Sequence, residues 1–333
     1  MFEALVLDHS DEESRTTVQT LEIDDLPDAG PDEVLVEVLY SSLNYKDGLA
    51  VTGAGKIIRG EYPMVPGIDL VGRVKKSRTD AFESGDHVIG TGWQLGEVEW
   101  GGYTQRAKVS GAKLVPLPDT LTPKQAMGAG TAGFTAMLSV MALEEHGVDP
   151  DEGAVVVTGA SGGAGSLGVT LLSALDYDVV ASTGSEGTHG YLRERGADRI
   201  IERSAFEGGP ERPMEAGKWA GALDAVGGDT LATLISQTRR RGAVASFGNA
   251  GGHELNTSVF PFILRGVRLV GIDSNTCPND RRRRAWRRLG SILTEEDFEA
   301  VTSRTITLDE IPSVSQDVLS GDVRGRVVVD VQG

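Results

Sequence analysis

The sequence predicts an α/β protein with two domains, a doubly wound parallel sheet and a smaller β-rich unit. Three observations predict it. Short strands with Gly, Pro and Asp punctuation fill residues 1 to about 120. Strands alternating with helices fill about 123–272, and the closing strand RVVVDV returns to the pattern of the start. The expected division is 1–122 with 279–333 for the β-rich domain, and 123–278 for the parallel sheet.

Each element has its own signal. VLVEVLYSSL alternates from Val34, and LVGRVKKS, DHVIGTG and TQRAKV follow as further strands, so this segment reads as all-β. Pro116 and Pro118 break the pattern, and Thr122-Pro123 opens a helix with Pro at its first position. Strands are then expected near 154–158, 178–182, 199–201, 222–226, 243–247 and 268–272. Helices fall between them at 164–175, 188–195 and 229–238, an order that implies a parallel sheet with both faces covered. The tail from 279 reads as helix to about 300 and then the final strand.

Composition narrows the function classes. Acids outnumber bases 49 to 32, for a net charge of −17, and the bases are 8 Lys against 24 Arg. Such a surface repels nucleic acid and anionic lipid, so neither is expected as a partner. Few lysines beside many carboxylates suggest a halophile's cytoplasm. The acidic N-terminal stretch has no apolar core of a signal peptide, and no run approaches 18 apolar residues, so no membrane span is expected. Cys277 is the single cysteine, which excludes an internal disulfide and a multi-cysteine metal site.

The most informative stretch is VVVTGASGGAGSLGVTLL, from Val155. A strand runs into Gly159-Ala160-Ser161-Gly162-Gly163-Ala164-Gly165 and a helix follows. On the pattern G-x-G-x-x-G, Ala160 takes the first glycine slot, Gly162 the second and Gly165 the third. The second slot lets a pyrophosphate approach the backbone, and the third lets helix pack on strand; helix N–H groups near Ala164 and Gly165 then face the anion. The stretch predicts a Rossmann dinucleotide site. The second strand ends in Ser182, Thr183, Gly184 and Ser185, all neutral, where an NAD site usually carries an acid. Hydroxyls there, with Arg203 after the third strand, favour NADP(H); with the turn shifted by one, Glu186 would reach the ribose instead.

These features together resemble the medium-chain dehydrogenase/reductase superfamily, with its GroES-like β-rich catalytic domain. Its zinc members carry a Cys in the first domain and a Gly-His-Glu some 25 residues on. Here Asn44 stands in the Cys position and Ile68 in the His position, so no metal is expected. The sequence is similar to a zinc-free branch, the NADPH-dependent acrylyl-CoA reductases, neighbours of the quinone oxidoreductases. SSLNYKDGLAVTGAGKIIRGEYPMVPGIDLVG, TGWQLGEVEWGG, GTAGFTAMLSVMALEEHGV, VVVTGASGGAGS, PFILRGVRLVGIDS and RRRAWRRL carry the resemblance, over about 41–290. Gln94, Glu99, Asn249 and Ser185 depart from the pattern; Ser185 replaces a basic residue that commonly helps hold the 2′-phosphate, which shifts weight to Arg203.

The resemblance implies reduction of an activated double bond, in a short enoyl-CoA such as acrylyl-CoA or in a quinone. A non-catalytic NADPH-binding role is the alternative from another class. It implies Tyr45 and Asn44 as catalytic residues, with Tyr45 also touching the cofactor. It assigns Ser161, Gly162, Gly163, Ala164 and Gly165 to the pyrophosphate, and Thr183, Gly184 and Ser185 to the adenosine phosphate. Arg203, Asn249, Ile263 and Ser274 fall at further cofactor-contacting positions, in a cleft at the carboxyl ends of the strands. A cytoplasmic homodimer or larger assembly is implied. The arginine run 281–288 offers three readings: a CoA phosphate site, a solvated helix packed through Trp286, Leu289 and Leu293, or a nucleic-acid contact, which the net charge disfavours.

Overall fold

Apolar alternation builds the first unit. β1 (Phe2–His9) pairs antiparallel with β2 (Ser14–Leu21). β3 (Glu33–Leu43) sends Val34, Val36 and Val38 into the core. The structure, a computed structural model, describes residues 1–9 and 14–333. It divides into two compact units, one of residues 1–131, 274–290 and 298–333, the other of 132–273 and 291–297.

The expected all-β segment contains a helix, α1 (Tyr45–Thr52). Its start is chemically marked: the Asp47 carboxylate accepts the Asn44 N–H at 2.9 Å, and Asn44 C=O accepts the first helical bond from Gly48 at 3.0 Å. Gly53, at φ 70°, ends it in the left-handed region. β4 (Asp69–Ser77), β5 (His87–Thr91), β6 (Arg106–Ser110) and β7 (Leu114–Pro116) follow. β3, β4, β5 and β7 are successive sheet neighbours, and β6 pairs with β3.

α2 (Pro123–Glu145) corrects the expectation of no membrane-length apolar run: by length and composition it could cross a bilayer. Its apolar character has another cause, since 89% of that apolar window is buried inside the protein. Gly130, at φ 54° and ψ −158°, breaks the helix in two.

The second unit alternates as the sequence predicts. β8 (Val155–Val157) leads to α3 (Gly163–Ala174), and β9 (Val179–Thr183) to α4 (His189–Glu194). Then come β10 (Arg199–Glu202), β11 (Trp219–Asp224), α5 (Gly228–Gln237), β12 (Thr238–Ser246), α6 (Phe260–Arg265) and β13 (Arg268–Gly271). All pairs are parallel, in the order β10-β9-β8-β11-β12-β13, which reverses direction between β8 and β11. That reversal is the switch point of a Rossmann sheet, where ligands bind beyond the strand ends. Val156, Val180, Ala222 and Val244 fill the core beside Leu234 and Ile235 of α5. β11 and β12 start earlier than expected, at Trp219 and Thr238; in β12 the exposed Arg239–Arg241 hide the strand in a polar run.

The tail holds α7 (Asn279–Ile292), α8 (Glu295–Val301), β14 (Thr302–Ile306), α9 (Ile311–Ser320) and β15 (Arg326–Asp330). β14 and α9 were not expected; both are short and mixed in polarity. β15 pairs antiparallel with β3, Val327 opposite Leu43, so the last strand returns to the first sheet.

Candidate active site

The glycine turn follows β8 and opens α3, with Gly162 as a cap that brings no side chain to the helix start. A Cβ on Gly165 would meet Gly159 O at 2.2 Å and Ala160 Cα at 2.7 Å, so packing alone demands glycine there. Gly162 differs. A Cβ there would meet only Gly159 O, at 3.3 Å, so its missing side chain serves open space rather than packing. Gly163 and Ala164 form the first turn of α3, whose N–H groups have no side-chain cap. An anion fits that arrangement.

A cavity of about 410 Å³ opens beside the turn, and the structure brings Ser161, Thr183, Gly184 and Arg203 together on its wall. Thr183 Oγ1 links Ser161 Oγ at 3.4 Å to Thr188 Oγ1 at 3.2 Å, and accepts the Ser185 N–H at 3.2 Å. The Arg203 guanidinium lies against Gly184, where a Cβ would come within 2.9 Å of Cζ. Ser185 is exposed next to this wall, and Ala250 and Gly251 line it just after Asn249, which is itself exposed. Ile263 stands on α6, 67% exposed, and does not line the cavity.

Sequence reasoning missed a buried carboxylate behind this cavity's wall. Asp224, fully buried at the end of β11, accepts from Thr158 Oγ1 at 2.7 Å and from the N–H groups of Val226 at 3.2 Å and Gly227 at 2.9 Å. Burial pushes its carboxyl up from the ordinary value, against the pull of these three bonds. The signal available was Asp-Ala-Val-Gly-Gly at a predicted strand end, an acid followed by glycines.

Tyr45 and Asn44 lie in the first unit, at the start of α1. The Tyr45 side chain is 59% exposed, whereas Asn44 is bound at both ends of its amide. Its Nδ2 donates to Asp47 Oδ2 and to Asp69 Oδ2, each at 2.9 Å, and its Oδ1 accepts from Arg326 Nη1 at 3.0 Å. Arg326 Nη2 donates to Ser42 Oγ at 2.8 Å, and Ser42 Oγ donates to Asp69 Oδ2 at 2.6 Å. Thr131 adds its N–H to Asp69 at 2.9 Å, just past the break at Gly130. Asp47, Asp69 and Arg326 are almost wholly buried; the guanidinium stands 4.0 Å from Asp69 and feels the charge of both carboxylates out of water.

Burial and the two neighbouring carboxylates set the protonation. Burial and then the Asp69 charge push the Asp47 carboxyl up to about 7, against its bonds from Asn44 and Ile68. Burial also pulls the Arg326 guanidinium below its ordinary value, opposed by Asp69 and Asp47. Tyr103, buried nearby and donating to Ser42 O at 3.2 Å, is pushed well up by burial and by the same two carboxylates.

The arginine run is divided. Arg282 is fully buried, donating to Thr91 O and Oγ1 at 2.7 Å and to the carbonyls of Ser274 at 3.1 Å and Asn275 at 3.3 Å. It thus shares the packed face of α7 with Ala285, Trp286 and Leu289, which corrects the expectation that the arginines only cover the outside. Its guanidinium also sits 5.4 Å from the Trp93 ring centroid. Trp93 and Gln94 follow Gly92 with three successive positive φ values of 68°, 53° and 67°, a strained turn that Asn275 braces by accepting the Trp93 N–H at 2.9 Å.

A Rossmann sheet, a dinucleotide-type turn and a β-rich partner unit define an oxidoreductase class. The family described as "Alcohol dehydrogenase GroES-like domain" matches residues 30–119, and that described as "Zinc-binding dehydrogenase" matches 163–291. The chain is 48% identical over 333 residues to "Acrylyl-CoA reductase AcuI" of Ruegeria pomeroyi, covering 99% of each chain. It is 44% identical to "Putative quinone oxidoreductase YhfP" of Bacillus subtilis, over 99% of this chain and 98% of that one. The yhdH oxidoreductase of Salmonella enterica, solved in complex with NADP, superposes with a TM-score of 0.95 at 48% identity, covering 99% of both chains. The Bacillus yhfP protein, solved with NAD bound, superposes with a TM-score of 0.94 at 43% identity, again over 99% of both. The chain belongs to the medium-chain dehydrogenase/reductase family, in the branch of acrylyl-CoA reductase-like and quinone oxidoreductase-like enzymes.

The zinc in one family description does not fit this donor set. Ile68 offers hydrocarbon, the Asn44 amide is committed to four hydrogen-bonded partners, and a guanidinium already stands 4.0 Å from Asp69. Among the described residues no three His, Cys, Asp or Glu side chains gather as a metal site.

Proposed function

We propose that this protein reduces the activated double bond of a short enoyl-CoA, acrylyl-CoA to propionyl-CoA, with NADP(H) and without a metal ion. The observation that carries the reading is the convergence of Ser161, Thr183, Gly184 and Arg203 on one cavity, in a chain that matches an acrylyl-CoA reductase end to end. Bound there, NADPH supplies the hydride. The chain's own residues do the rest. N–H groups of Gly163, Ala164 and Gly165 would hold the pyrophosphate, while Thr183, Ser185 and Arg203 would hold the adenosine phosphate. Residues 123–278 serve the cofactor, with Asn249, Ile263 and Ser274 as outer contacts, and residues 1–122 with 279–333 serve the acceptor.

Tyr45 is the catalytic residue in this reading. Its phenol is exposed and donates to the acceptor oxygen as negative charge collects there. Asn44 acts through it, fixing the start of α1 with an amide locked between Arg326 and two carboxylates. Tyr45→Phe is expected to lower kcat by about 10²-fold, near the low end for a lost proton donor, with cofactor affinity less affected.

Stopped-flow NADPH oxidation with acrylyl-CoA against a benzoquinone tests the substrate. Fast turnover of the thioester is expected; a strong rate only with the quinone overturns the reading in favour of a quinone reductase, the alternative that the match to YhfP supports. The assembly is read as a cytoplasmic homodimer or larger. β13 is an edge strand, and Phe260, Ile263 and Leu264 of neighbouring α6 are exposed apolar side chains. Sedimentation as a monomer at micromolar concentration would contradict that.

A further inference from the structure

We propose that Glu207 is a specificity-determining residue, which weakens the preference for NADP(H) over NAD(H) by competing with a 2′-phosphate for Arg203. The inference rests on the dinucleotide reading of the cavity.

Charge on the cavity wall is the starting point. Among the described residues that line it, Arg203 is the one cation, whereas Glu207 and Asp229 are both carboxylates. Arg203 reaches the end of β9 only because position 184 has no side chain: Cζ, Nε and Nη2 would all lie within 3.1 Å of a Cβ there. From that place its Nε faces Glu207 Oε1 at 3.7 Å, one turn further along the chain. The partner of the guanidinium is therefore itself part of the wall, held just before the left-handed Gly208 and Gly209.

Two consequences follow for a ligand. A 2′-phosphate carries close to two negative charges and needs the guanidinium, so it must displace or share the Glu207 carboxylate and also meet its repulsion. A ribose 2′-hydroxyl has neither demand. Ser185, the neighbouring strand-end residue, brings a hydroxyl and no second charge to offset Glu207. The pair is 63% exposed on both sides, so it is weak and screened by salt, and Glu207 tunes the preference without abolishing it.

Calorimetric titration of the full chain tests this, with 2′,5′-ADP and NADP⁺ against 5′-AMP and NAD⁺. Glu207→Gln is expected to tighten the two 2′-phosphate ligands about two- to tenfold and to leave the other two unchanged. The gain should shrink as salt rises, and disappear in an Arg203→Ala background, since it acts through that guanidinium. Unchanged affinity for 2′,5′-ADP, or an equal gain for all four ligands, overturns the proposal while the dinucleotide reading stands. Wild-type protein that binds none of the four overturns both. Retention of the wild-type melting temperature by Glu207→Gln, expected for an exposed side chain, shows that the comparison is made on folded protein.

Discussion

The two candidate regions, one in each unit, are built by opposite means. In the second unit the glycine turn removes side chains, so that bare backbone and the start of α3 face an open cavity. In the first unit Asn44 and its neighbours bury charge, so that one exposed phenol is presented from a rigid base. A backbone cradle suits a ligand whose diphosphate is constant. A buried side-chain network suits a single group whose orientation matters, and it carries the risk of uncompensated charge. The comparison teaches that the second region depends on what is absent, and the first on every partner being present.

The sharpest way to break the contrast is Arg326→Leu. It leaves Asp47 and Asp69 buried without the neighbouring cation, and a stability loss of about 3–5 kcal/mol is expected in urea denaturation. A loss below about 1 kcal/mol would mean that the charges are compensated by other means. On the other side, two glycines should respond differently. Gly165→Ala drives a Cβ against Gly159 O and is expected to cost about 1–3 kcal/mol. Gly162→Ala should change stability by no more than about 0.5 kcal/mol and yet weaken NADP⁺ binding, measured by calorimetry. If both variants lose stability equally, Gly162 serves packing and not a ligand.

A separate effect is written in pH. Asp47 titrates at about 7 in the folded chain and at its ordinary 3.8 once unfolded. Between those values the folded state binds the extra proton, so this group's share of stability is full below about pH 3.8 and falls as pH rises to about 7. Asp47→Asn should flatten the stability profile in that window, by at most about 1.4 kcal/mol per pH unit, and leave its slope above pH 8 unchanged. The slope isolates the proton from the loss of hydrogen bonds, which shifts the whole curve. A profile with the same slope in both proteins would mean that Asp47 does not carry the extra proton.

The parallel sheet and the glycine turn were legible because their signals are local. A strand, seven small residues and a helix lie within Val155–Ala174, and the fingerprint requires fixed offsets. Thr183, Gly184 and Arg203 were legible for the same reason, as ends of consecutive strands. α1 escaped although Asn44 and Asp47 stand at capping-box spacing, since Asn-x-x-Asp is a less familiar form of it. The buried network had no such signal: Arg326 and Ser42 are 284 positions apart. Nor did the arginine run disclose which member is buried; Arg282 differs from Arg281 and Arg283 only by its angle on α7.

By itself the sequence determined the alternation of strands and helices in the second unit, the glycine turn and the neutral end of β9, because each is a pattern in neighbouring residues whose physics is short-ranged. Only the tertiary structure decided that Asn44 is a locked support rather than an open amide, that two carboxylates and one guanidinium are buried together, and that Glu207 pairs with Arg203 on the cavity wall. Charge and burial depend on what folding brings within a few ångströms, and no spacing along the chain encodes that distance.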